Sequence, residues 1–434
     1  MFGLVRSVQV REVQGEVMKL LFLGINYDPE IISIAVYSSG LCDYMARHGV
    51  ETKVVTAKPY FPHWRVFEGW RGPFWKRRKT ESGADVVHCP LYVPRKPTGA
   101  KRILHHASFA LTAAPVTLWR ALVWRPDVVF VIGPSLVAAP VGWLAARIGG
   151  AKAWLHVQDF EVEAAFATGL IKEESRTGRA AKAFERWVLR RFDKASSISR
   201  PMLDKLRQKE VPEERIYELR NWANLEKVTP IEGVSPMKAE LGIETPYVAL
   251  YSGNLANKQG LEVLPEMARH LAHREDLTLM ICGDGPMRDE LVNMAEGLSN
   301  IRFLPLQPLE KLSDLLGVAD VHLLPQIAGA ADVMLPSKLT NMLASGRPVL
   351  ATAHAGTALG DEVEGAGVLT PPGDGKAAAA AVESLLNDPT RRAEFGLTAR
   401  HRALERWDMD AILGNLHIEF EKLTSRQAAL VSAE

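Results

Sequence analysis

The sequence predicts an α/β fold of two Rossmann-like domains facing across a cleft. Three observations carry this expectation. Short apolar runs such as KLLFLG, DVVFVIG and LTLMICG alternate with segments of helical spacing. Strands apolar on both faces belong to parallel sheets covered by helices on each side. The alternation pauses at NWANLEKVTPIEGVSP and restarts at YVALYSG, and 434 residues are enough for two separate cores.

Residues 1–17 precede the first strand pattern, lack the apolar core of a signal peptide, and read as an N-terminal extension. A first domain is expected over 18–225. KLLFLGIN is its first strand, AVYSSGLCDYMARHG a helix stopped at Gly49, and ETKVVTA the next strand. Val128 to Ala146 carries no charge, which raises a membrane span. A strand (DVVFVIG), a turn at Gly133-Pro134-Ser135 and a helix (LVAAPVGWLAARIGG) account for it better. AKAWLHV and KASSIS continue the series. The second domain, 226–408, adds YVALYSG, the helical LEVLPEMARHLAHRE, then LTLMICG, IRFLP, DVHLLP and RPVLAT. Residues 409–434 hold a last helix, MDAILGNLHIEFEKL, expected to pack back on the first domain.

A formal charge of +1 gives no global field to attract nucleic acid. Cys42, Cys89 and Cys282 are far apart in apolar surroundings, so neither a disulfide framework nor a metal spacing follows, and a reducing compartment is expected. His105 and His106 are adjacent and would not share a helix face. Asp408 and Asp410 read as helix caps. No metal site is expected.

In open α/β sheets ligands bind beyond the carboxyl ends of the strands. Three loops of the second half fit an anion there. Gly253 follows a strand, with Lys258 and Gly260 ahead of a helix; glycine admits close backbone approach, and lysine adds a point charge. Gly283, Asp284 and Gly285 repeat this one unit later, although Asp284 taken alone reads better as a helix cap. PSKLTNMLASGRPVL opens a helix with Ser337 and Lys338, where the helix dipole is positive. Together the loops read as a diphosphate cradle. In the first half, AWLHVQDFEVEAAF sets His156 at a strand end with Asp159 three residues on. HWRVFEGWRGPFWKRRK interleaves Trp64, Trp70 and Trp75 with cations including Arg77 and Arg78. That pattern suits an anionic membrane surface, or else a loop tucked into the first domain.

The ordered set YSGNLANKQGLE, CGDGPMRDEL, FLPLQP, DVHLLP and PSKLTNMLASGRPVL resembles the family-four retaining glycosyltransferases of GT-B architecture. INYDPEIISIAVYSSGL, HWRVFEGW, CPLYVPRKPTGAKRILHHASFAL and LHVQDFEVEAAFATGL resemble its colanic-acid-type members. The likeness runs from about Met18 to about Leu423. It implies sugar transfer from a nucleotide diphosphate to a hydroxyl without a metal or other cofactor. Lys258 would bind the diphosphate beside Gly253, and His156 would contact the donor sugar. Many members follow that glycine with arginine; here Asn254 stands there. Where many members carry two glutamates eight positions apart, this chain has Val333 and Asn341. The resemblance gives the first acid's role to the adjacent Asp332 and a nucleotide contact to Asn341. The family's first-domain G-x-G is replaced by Ser33 and Ala35. The closer resemblance implies GDP-fucose as donor, an undecaprenyl-diphosphate-linked saccharide as acceptor, and a place at the inner face of the cytoplasmic membrane in exopolysaccharide assembly. The competing expectations are a sugar-nucleotide epimerase and a non-catalytic nucleotide-sugar-binding protein.

Overall fold

The structure, a computed structural model, describes residues 17–31, 34–167, 171–223, 225, 228–256, 259–327 and 336–431. Two compact units divide it. One takes the residues up to Lys194 and those from Phe420 on; the other takes Ala195–Glu419. The chain begins β1 (Lys19–Gly24), α1 (Ile34–Arg47), β2 (Glu51–Ala57), β3 (Lys76–Lys79), β4 (Asp85–Cys89), α2 (Gly99–Trp124) and β5 (Val128–Ile132). It continues α3 (Ala139–Gly149), β6 (Lys152–Val157), α4 (Glu161–Ala167), α5 (Arg176–Leu189), β7 (Lys194–Ser197), α6 (Arg200–Gln208) and β8 (Ile216–Glu218).

The second half runs α7 (Pro236–Glu240), β9 (Tyr247–Ser252), α8 (Val263–His270), β10 (Leu277–Cys282), α9 (Arg288–Met294), β11 (Ile301–Leu304) and α10 (Leu312–Gly317). β12 (Val321–Leu324), α11 (Ser337–Ala344), β13 (Val349–Thr352), α12 (Ala358–Val363), β14 (Gly367–Thr370), α13 (Gly375–Asn387), α14 (Pro389–Arg406) and α15 (Met409–Val431) complete it.

The first sheet is ordered β3-β4-β2-β1-β5-β6-β7-β8 and the second β11-β10-β9-β12-β13-β14. The second sheet, and the first from β4 to β7, therefore share the doubly wound order in which the chain starts at the centre and reverses direction once. The reversal lies between β1 and β5 in one sheet and between β9 and β12 in the other. Loops at those strand ends splay apart and leave a crevice. The expected two Rossmann-like halves are present.

Three details depart from the sequence reading. KRRK is an antiparallel edge strand, β3, registered Lys76↔His88 to Lys79↔Asp85, rather than the end of a loop. Four consecutive cations have no apolar alternation to announce a strand; its partner β4 supplies the ladder. DVVHC, absent from the strands read in the sequence, is that buried partner. The helix expected through LEVLPEMARHLAHRE is confined to α8.

Val128 to Ala146 folds as β5, a turn and the start of α3, and among the described residues no helix is long and apolar enough to cross a membrane. All three cysteines are buried and free. Asp408 accepts the Ala411 amide at 2.8 Å, as a cap does. Phe420 of α15 packs edge-on against Trp154 and Phe130, with ring centroids at 5.2 and 5.9 Å. Leu339, Met342 and Leu343 of α11 are buried with Leu324, Val349 and Ala351 of the adjacent strands. Each such side chain stabilises by about 1.5–3 kcal/mol, which fixes the N-terminus of α11.

Candidate active site

The loops after β9 and β10 are stitched together by backbone. Gly253 donates its amide to the Cys282 carbonyl at 3.0 Å, Leu255 to the Asp284 carbonyl at 2.8 Å, and Met287 to the Leu255 carbonyl at 3.0 Å. The approach is close enough to demand glycine. A Cβ on Gly283 would lie 2.1 Å from the Gly253 oxygen, and one on Gly285, at φ +150°, would lie 2.6 Å from the Leu255 oxygen. Asp284 does not cap a helix. Its exposed carboxylate accepts the neighbouring Gly285 amide at 2.8 Å, and α9 begins four residues on with Met287 at its N-cap.

α11 opens at Ser337 with Pro336 at its N-cap and no side-chain cap. From its first turn Lys338 reaches to the β9 loop. Its Nζ donates to the Tyr251 hydroxyl at 2.7 Å and lies 4.2 Å from that ring's centroid. A Cβ on Gly253 would be 3.4 Å from the same Nζ. The Tyr251 hydroxyl donates to the Asn254 carbonyl at 2.7 Å or to Gln259 Oε1 at 3.0 Å. Among the described residues no carboxylate meets Lys338. Burial pushes its ammonium down to about 8. A desolvated cation at the positive end of a helix, over an open glycine backbone, is an arrangement that an anion stabilises.

Asn341 stands one turn beyond Ser337, half-buried, and Asn254 is exposed beside Gly253. Lys258, Asp332 and Ser33 lie outside the described residues, as does the side chain of Ser337. Of the expected donor set, the structure thus brings together Gly253, Asn254, Gly283, Asp284, Gly285 and Lys338. Tyr251, which links Lys338 to the loop, was missed by sequence reasoning; its one signal is a hydroxyl-bearing aromatic at the end of an otherwise apolar strand.

In the first unit His156 is the penultimate residue of β6 and is buried. Gln158 Nε2 lies 3.1 Å from His156 Nε2, and since an amide nitrogen only donates, the ring nitrogen accepts. The Gly133 amide donates to the His156 carbonyl at 2.8 Å, tying the end of β5 to that of β6. Asp159 borders a cavity of about 20 Å³ with Gly133, Ser135, Leu136 and Glu161, room for one water. Glu161 accepts the Leu136 amide at 3.2 Å. Burial, with Asp159 adding to it, raises its carboxyl to about 7. The sequence reading set Glu161 at the cleft behind His156, in the run AWLHVQDFEVEAAF with Gln158 and Asp159, but passed it over as a catalytic residue. It also passed over Glu30, whose buried carboxylate accepts Asn26 Nδ2 and the Tyr60 and Phe61 amides at 2.7–2.8 Å and so shapes the loop after β1.

The basic aromatic stretch is folded onto its unit only in part, most of its residues being exposed. The Trp64 ring packs on Tyr60 and His105, and that of Trp70 on His88. Arg78 pairs with Asp28 and reaches His88. Arg77 binds both oxygens of Asp85 at 2.8 and 2.9 Å. Trp75 is half-exposed, with its Nε1 donating to the Thr112 carbonyl of α2 at 3.0 Å.

Known families place these features. Residues 235–402 match the model described as glycosyl transferases group 1, and residues 34–222 match the glycosyl transferase 4-like domain. The chain is 39% identical over 355 residues to the putative colanic acid biosynthesis glycosyl transferase WcaI of Escherichia coli, covering 80% of this chain and 86% of that one. This chain belongs to the group 1 glycosyltransferases. The family-four resemblance and the GT-B fold are both borne out, and the protein is a glycosyltransferase.

Among solved structures, this group 1 glycosyltransferase shares its fold with the sucrose-phosphate synthase of Thermosynechococcus elongatus. The TM-score is 0.71 at 16% identity, over 94% of this chain and all of that one. It also shares it with HepE of Anabaena, solved in complex with UDP, at TM-score 0.66 and 17% identity over 93% and 100% of the chains. His156 and Asp159 fall inside the glycosyl transferase 4-like match, and the residues from Gly253 to Asn341 inside the group 1 match.

Proposed function

We propose that this glycosyltransferase moves a sugar, with retention, from a GDP-sugar, GDP-fucose being favoured, to a lipid-linked saccharide in exopolysaccharide biosynthesis. One observation supports the donor half most directly: Lys338, half-buried and unmatched by any described carboxylate, stands over Gly253 at the start of α11. A departing diphosphate there meets an ammonium and free helix amides as its charge develops, which is the form of stabilisation that lowers a barrier. Lys258 would add a second cation. On this reading Gly253, Gly283 and Gly285 shape the cradle, Asn254 and Asn341 contact the nucleotide, and His156 with Asp159 faces the donor sugar. Asp332 would take the acid's role.

In the reaction the anomeric carbon–oxygen bond to the diphosphate breaks, a bond forms to the acceptor hydroxyl oxygen, and the hydroxyl proton leaves to a basic oxygen. The charge-neutralising groups are all protein groups, so no divalent ion is required. The relative WcaI is named for colanic acid biosynthesis, which supports the exopolysaccharide assignment.

The test is incubation with GDP-fucose, GDP-mannose or UDP-glucose, with and without a polyprenyl-diphosphate-linked saccharide and with and without chelator. Nucleotide release that needs the acceptor, prefers a GDP-sugar and survives chelation is expected. Release preferring UDP-glucose would move the donor assignment. Epimer formed without acceptor, or turnover lost to chelator, would overturn the mechanism.

A further inference from the structure

α2, α3 and α5 form one layer of the first unit. α2 packs along α3, and Trp143 of α3 meets Trp187 of α5 edge-on at 6.1 Å. The outer side of this layer is unusually apolar. Leu111 is 75% exposed, Trp119 65%, Val123 62% and Leu122 55%. Leu104, Leu111, Pro115 and Leu122 fall within about 20° of one line along α2, a stripe about 27 Å long at 1.5 Å per residue. Exposed Leu144 and Ile148 on α3, and Phe184 and Trp187 on α5, extend it sideways. Trp75 continues it on the other flank, where it joins Val116, Trp119, Val123 and Trp124 around a groove of about 480 Å³. Single exposed apolar residues are ordinary, but a contiguous patch with a polar rim marks a docking surface.

The charge of the rim selects the occupant. α2 and α3 contain no acidic residue, and the one acid of α5, Glu185, is buried. Exposed cations border the patch: Lys101 on α2, Arg147 on α3, and Arg176, Arg179 and Lys182 on α5. Among the described residues Lys182 alone of these has a carboxylate, Glu173, which precedes the helix. Arg147 and Arg191 lie over the Trp143 ring. The whole chain is nearly neutral at +1, so the basic rim is local. Apolar side chains and tryptophans ringed by cations fit the headgroup layer of an anionic bilayer.

We infer that the outer face of the α2–α3–α5 layer, with Trp75 at its edge, is the surface by which the protein lies on an anionic membrane. Trp64, Trp70 and Arg78, turned into the fold, take no part. The inference deepens the proposed transfer to a lipid-borne acceptor and rests on it for its use. Vesicle binding is measured with neither donor nor acceptor present, so the two readings fail separately.

The experiment is co-sedimentation of the full chain with vesicles of phosphatidylglycerol and phosphatidylcholine in equal parts, against phosphatidylcholine alone. Wild type should partition to the mixed vesicles and weakly to the neutral ones. Trp119→Glu with Leu122→Glu should lower the partition at least about tenfold. Arg176→Gln with Arg179→Gln should lower it about 25-fold, at about fivefold per cation. Arg78→Ala should bind as wild type. Unchanged nucleotide affinity in the variants would show that they are folded. Equal partition to both vesicle types, or full binding by the two double variants, would overturn the assignment. So would a wild-type dimer that ignores vesicles and that Trp119→Glu turns into a monomer, since the patch would then belong to a second copy.

Discussion

At the end of β9 the second unit gathers a cation, a phenol and stitched glycine loops; at the ends of β5 and β6 the first unit gathers a histidine, an amide and acids. The two sheets share a strand order over six strands; the first cluster sits at the reversal between β9 and β12, and the other lies one strand beyond its reversal, at β5 and β6. Yet Lys338 is held charged with no described carboxylate beside it, while Glu161 is held beside Asp159 and pushed toward neutrality. Topology fixes where a site forms. Which side chains end each strand decides whether it holds an unmatched cation or a carboxyl kept near neutrality.

The largest effect should come from removing the cation. Lys338→Met keeps the packing on Tyr251 and should cut donor turnover by about 10²–10³-fold, with the folding stability of the nucleotide-free protein unchanged or raised. Single-turnover kinetics beside a denaturant melt would check both halves; wild-type turnover would remove Lys338 from the chemistry. The same lysine sets a pH signature. It is charged below about 8, so donor affinity should fall as pH rises through that value, and calorimetry should find proton uptake above it. In the Met variant that dependence should vanish.

Gly283→Ala asks whether the stitched loops are rigid. Its Cβ would press the Gly253 oxygen, and a cost of about 3 kcal/mol is expected in a urea melt. A variant as stable as wild type would show that the loops part freely.

Glu161 tests the acidic cluster. Its folded value, about 7, stands above the ordinary 4.5. Between those values the unfolded chain releases a proton that the folded one keeps, so stability should fall as pH rises from 4.5 to 7. Glu161→Gln should flatten that fall by on the order of 2 kcal/mol after discounting for partial exposure. An identical pH profile for variant and wild type would mean that the carboxyl is not held near neutrality.

The smallest effect sharpens the donor side. Asn254→Arg places a guanidinium beside Gly253 and should tighten donor binding by up to about tenfold, read as Kd by calorimetry. Weaker binding would show that the asparagine is itself a ligand.

Much of this was legible in the sequence because buried parallel strands are written as continuous apolar runs. β1, β5, β9, β10 and β13 announce themselves that way, and with them the two halves and the strand-end loops. β3 was hidden because a strand of four cations carries no apolar period, and its pairing with β4 depends on residues ten positions away. The glycines were visible, but the reason for them was not: Gly283 is required by a carbonyl thirty residues earlier. Lys338 was read as a dipole-end cation, and its reach to Tyr251 depends on the packing of β9 against β12. Glu161 and Glu30 matter through burial, which a local pattern of acids does not reveal.

The cationic edge strand has a further effect. A sheet's outermost strand offers unpaired backbone to any similar strand it meets, and β3 presents Lys76, Arg77, Arg78 and Lys79 along that border. Two such borders repel, so molecules crowded together at high concentration are kept from zipping into fibrils along this side.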